Sequence, residues 1–90
     1  MAFVARRLSD LQHGAVLTFL IDAEIDGCHL DGRTLTVDGT PQEVFALLVN
    51  EANAVDEYAE SLKKSDPYMA KLLRADSRAL GALASRALRG

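Results

Sequence analysis

Pro67 divides the C-terminal half of this chain into two apolar seams of matched length, and that symmetry constrains the fold more than any other feature. Before it, Phe45, Leu48, Ala52, Val55, Ala59 and Leu62 recur at spacings of three and four, and after it Met69, Leu73, Asp76, Leu80, Leu83 and Ala87 do the same. Such spacing lines one face of an α-helix. Ser65-Asp66-Pro67 separates the two helices, because the residue before a proline is pushed out of the α region. Asp66 and Pro67 then serve as cap and first position of the later helix. Folded antiparallel with a tight turn near Ser65, the seams set Leu62 against Met69, Val55 against Asp76 and Leu48 against Leu83. Thr40-Pro41-Gln42-Glu43 opens the earlier helix with a capping box, and Val44, Leu47 and Val49 widen its apolar face for something else to dock.

The first forty residues supply what docks. Asp31-Gly32 suits a two-residue type I′ turn, which pairs Leu30 with Arg33, His29 with Thr34 and Cys28 with Leu35. Cys28, Leu30, Leu35 and Val37 then share one face of a hairpin that Asp38-Gly39 closes. Ser9 with Gln12 forms a capping box for a helix from about Asp10 to Asp22, although Gly14 and the β-branched Val16, Thr18 and Ile21 keep a strand in competition. Its apolar residues run nearly all round, so it is expected to be buried on most sides. The expected fold class is α+β, mostly α, as one domain over residues 1–90: N-terminal helix, two-stranded β-hairpin, then antiparallel αα-hairpin (α-β-β-α-α). Residues 30–48, LDGRTLTVDGTPQEVFALL, resemble the hairpin and first helix of response-regulator effector domains in their DG turns and apolar spacing. No recognition helix followed by a wing hairpin comes after them, so the resemblance ends there.

A chain of 90 residues buries only about 60–65% of its unfolded surface, which favours self-association as a further source of burial. The single cysteine, Cys28, forms no internal disulfide, and a reducing cytoplasm is expected. Ala15 to Ile21 falls well short of the ~20 apolar residues that span a bilayer. Ser9, Asp10, Gln12 and His13 follow Arg6 and Arg7 where a signal peptide would turn apolar, so a mature protein without membrane attachment is expected.

Few constellations suggest chemistry. Asp22-Ala23-Glu24-Ile25-Asp26-Gly27 matches the first half of a calcium loop, but Leu30 and Arg33 stand where later ligands belong. Cys28 and His29 are strand neighbours on opposite faces and cannot exchange a proton. With no glycine-rich phosphate loop and no nucleophile elbow, the expectation is a non-catalytic protein with no metal and no cofactor.

Charge is more informative. Residues 1–62 hold three basic and eleven acidic side chains, net −8, whereas residues 63–90 hold seven basic and two acidic, net +5. Lys71, Arg74, Arg78 and Arg89 fall on the helix face opposite the seam, without interleaved aromatics in the sequence. Asp76 interrupts the seam, and Ala79 and Ala82 are small enough for another helix to approach. These seven residues are the expected partner-binding site. The leading expectation is a small homo-oligomeric protein–protein interaction or assembly module. The alternative is a nucleic-acid-binding regulator using the basic third helix. Arginine exceeds lysine seven to three, which suits a GC-rich bacterial or phage genome.

Overall fold

The computed structural model describes residues 1–89. In chain order it comprises strand β1 (Ala2–Ala5), helix α1 (Asp10–Val16) widening into a π-helical turn over Leu17–Ile21, strands β2 (Cys28–Asp31) and β3 (Thr34–Asp38), and helices α2 (Pro41–Leu62) and α3 (Pro67–Arg89). The architecture is α+β and mostly α, as the periodicities predict, with one strand more than expected. Both capping boxes form. Ser9 Oγ accepts from Gln12 N–H at 3.2 Å while Gln12 Oε1 accepts from Ser9 N–H at 3.0 Å, and Thr40 with Glu43 repeats the exchange at 3.2 and 2.9 Å. Asp66 Oδ1 accepts from Met69 N–H at 3.1 Å, satisfying one of the free donors at the start of α3.

The extra strand, β1, pairs antiparallel with β3 and gives a sheet of order β1-β3-β2. The β2–β3 register differs from the sequence expectation: Leu30 faces Leu35 and Cys28 faces Val37, so the turn is Gly32-Arg33 rather than Asp31-Gly32. Gly32 has φ +58 and Arg33 is not in the positive-φ region, the pattern of a type II′ turn with glycine first. This register sets leucine against leucine on the inner face. It also frees the Arg33 guanidinium to donate to Leu8 O at 3.0 Å and to pair with Asp10, tying the hairpin to the start of α1. Phe3, Ala5, Cys28, Leu30, Leu35 and Val37 line the inner face together.

The αα-hairpin is present, with a seam that needs correction. Ala70, Leu73, Ser77, Leu80, Ala84 and Ala87 form the buried row toward α2, whereas Met69 is exposed and Asp76 only partly covered. Ser77 Oγ donates to Ala52 O at 2.8 Å across the interface, so residue 77 rather than 79 aligns with residue 52. The reason is that α3 carries two interleaved apolar rows. Ala79 is buried on a flank that α2 does not reach, and α1 and β1 are the other elements packed on α3. Helix α1 is correspondingly less enclosed than its composition suggests, burying Ala15 and Val16 but exposing Leu11 and Leu17.

Leu48 and Leu83 are fully buried, so Leu48→Asp or Leu83→Asp should unfold the domain by burying an unpartnered charge. Ser77→Ala should cost about 1 kcal/mol, leaving the Ala52 carbonyl without its bond. Urea titrations followed by circular dichroism measure all three.

Candidate interaction site

Helical rotation sorts the surface of the αα-hairpin into two flanks. Residues seven apart stand about two turns along the same flank. On α2, Glu51 is half-buried, and its carboxylate helps raise the Cys28 thiol pKa. Tyr58, two turns on, is 55% exposed. On α3, Leu83 and Ala79 are buried, Asp76 is partly covered, and Met69 and Leu72 are 41% and 43% exposed, with Tyr68 beside them at 72%. The layer formed by α1 and the sheet therefore covers this flank at one end and stops near Asp76. Beyond it the same apolar flank continues uncovered to the tip of the hairpin. Overall extents of 42 × 24 × 23 Å agree with a hairpin that outruns its third layer.

Asp76 sits at that edge. Burial raises its carboxyl above the ordinary value of 3.8, and no hydrogen bond or ion pair to it forms among the described residues. Of the other residues expected to meet a partner, Ala79 is buried within the protein and is removed from the site, whereas Ala82 is exposed.

The opposite flank is charged. Lys71, Arg74 and Arg78 line a groove of about 390 Å³ together with Lys63, Pro67 and Ala70. Glu60 of α2 pairs with Arg74 at 2.8 Å and with Lys63 at 3.7 Å. Arg89 shares the basic row but stands eighteen residues beyond Lys71, about 27 Å along the helix, and belongs to no common site with it. Lys63 escapes a reading of α3 alone because it closes α2 and reaches the groove only through the turn. Exposed Tyr68 precedes Lys71 by one turn, so an aromatic does flank the basic row.

Elsewhere the chemistry is sparse. Cys28 is half-buried, and desolvation with the Glu51 and Asp38 carboxylates raises its pKa, disfavouring the reactive thiolate. Among the described residues no three histidine, cysteine or acidic side chains converge as metal ligands, and no helix is long and apolar enough to cross a membrane. A smaller cavity of about 230 Å³ beside β1 is walled by residues such as Met1, Phe3, Val4, Pro41 and Ala87, none of them ionisable in its side chain. No protein-family model, curated protein or solved structure matches the chain.

The Asp76 environment has a pH signature. Its folded pKa is raised, so the native state holds the proton more tightly than the unfolded state, and this group's contribution falls as pH rises from about 3.8 through the native value. Asp76→Asn should remove that contribution and raise the melting temperature at pH 7, with the difference from wild type vanishing toward pH 3. Paired thermal melts across pH 3–7 measure it.

Proposed function

We propose that this chain is a small non-catalytic assembly module that docks through the uncovered apolar flank at the tip of its αα-hairpin, and that a second copy is its first partner. The observation that carries this reading is the continuity of one apolar flank from beneath the third layer out to Tyr58, Tyr68, Met69 and Leu72. A hairpin half covered by a third layer has the profile of a step. Two steps related by a two-fold axis interlock, each tip filling the space beyond the other's third layer, which is the isologous geometry commonest among homo-oligomers. Tyrosine and methionine at the centre of the patch fit the composition of interface cores. The alternative of nucleic-acid binding draws support from the clustering of Lys63, Lys71, Arg74 and Arg78. It is weakened by the Glu60 carboxylate, which already pairs with Arg74 and Lys63, and by a net charge of −8 over residues 1–62, which repels a duplex.

Light scattering across protein concentration tests the assembly. The wild type should exceed its 9.7 kDa monomer mass at micromolar concentration, while Leu72→Glu should remain monomeric and, because the side chain is exposed, melt as the wild type does at concentrations too low for association. A docking face that is apolar also predicts little loss of mass between low and high salt. A wild-type mass fixed at the monomer value would contradict self-assembly. Dissociation by salt alone would move the interface to the charged flank.

A further inference from the structure

The charged flank lies about 200° round each helix from the docking face, since Glu60 and Arg74 stand two residues beyond Tyr58 and Leu72, and its chemistry is independent of that face. Its groove is lined by four cations, Lys63, Lys71, Arg74 and Arg78, two of which pair with one carboxylate. That carboxylate, Glu60, bridges Arg74 and Lys63, and among the described residues Lys71 and Arg78 have no acidic partner. Pro67 and Ala70 line the same groove with short apolar side chains, so an anion can sit low between the bases.

The choice of anion follows from what must leave. An incoming carboxylate would displace Glu60 with a group of the same charge and the same two acceptor oxygens, and would gain little by the exchange. A phosphate diester carries one negative charge per unit and meets the same limit. A terminal phosphate carries about −1.5 to −2 at neutral pH and three strong acceptor oxygens, enough to engage Arg74 and Lys63 and also Lys71 and Arg78. We propose that this groove is a binding site for a terminal phosphate group, a phosphomonoester or pyrophosphate, which competes with Glu60 for Arg74 and Lys63.

Calorimetric titration with sodium pyrophosphate at low ionic strength provides the test. Wild type should bind. Glu60→Gln should bind about threefold or more tightly, because the internal competitor no longer holds the competent state below full population. Lys71→Ala and Arg78→Ala should each weaken binding about tenfold, the loss expected of one charge-assisted contact. Arg89→Ala removes the same charge from the distant end of the row and should change nothing. All four side chains are exposed, and an unchanged melting temperature confirms that each variant keeps its fold.

One short oligonucleotide, prepared with a 5′-phosphate and with a 5′-hydroxyl, then identifies the source of the ligand. Preference for the phosphorylated form assigns the groove to nucleic-acid ends, and pyrophosphate binding with neither oligonucleotide bound assigns it to small phosphorylated molecules. Three results would overturn the proposal: no pyrophosphate binding by wild type or Glu60→Gln, an equal loss in Arg89→Ala and Lys71→Ala, or measurable binding of both oligonucleotides with the same affinity.

Discussion

The close approach of α3 to α2 is the contact on which the rest of the molecule is built. It depends on small residues. Ala52, Ala59, Ala70, Ser77 and Ala84 alternate with Leu48, Val55, Leu73 and Leu80 in the buried rows of the two helices, and Ser77 lies directly against Ala52, small against small. The Ser77 hydroxyl bonded to the Ala52 carbonyl fixes the register with the one polar side chain that is buried among the described residues. The αα-hairpin in turn supplies the floor on which α1 and the inner face of the sheet lay Leu8, Ala15, Val16, Leu20, Leu35 and Val37.

Because α2 and α3 are each more than twenty residues long and α1 is seven, the third layer cannot cover the hairpin from end to end. At one end the flank is core. At the other, the same helical positions carry tyrosine, methionine and leucine into solvent, where an exposed apolar patch marks a contact surface. Asp76 stands at the transition, partly covered, and that burial raises its carboxyl pKa. The opposite flank carries Glu60 and the basic groove, so the hairpin separates an apolar surface from a charged one by helical rotation alone.

Much of this architecture was legible in the sequence because its signals are local. Ser9/Gln12 and Thr40/Glu43 announce helix starts that form as expected, and Asp66-Pro67 places the break between α2 and α3. What the sequence hid depends on distant partners. Ala2–Ala5 is too short to reveal alternation and becomes a strand only because β3 offers an edge. The turn slips one residue because Leu30 against Leu35 and the Arg33 contacts outweigh a local preference for Asp-Gly. Two rows on α3 looked like one because a single helix with two partners superimposes two periodicities, which is how Met69 and Asp76 entered the seam and Ala79 entered the surface. Of the expected partner-binding residues, Lys71, Arg74 and Arg78 do converge, whereas Arg89 and Ala79 do not join them.

The central claim is that the apolar flank beyond Asp76 is the surface a second copy covers. Hydrogen exchange at two protein concentrations, one below and one well above the onset of association, tests it most directly, because amide protection reports which segments lose access to solvent and local opening. The account predicts that protection rises with concentration at residues 58–62 and 68–72, while residues 79–87, whose Ala79 and Leu83 are already buried within the protein, are unchanged. Increased protection confined to the β1 edge, or none at the hairpin tip while the mass rises, would contradict it.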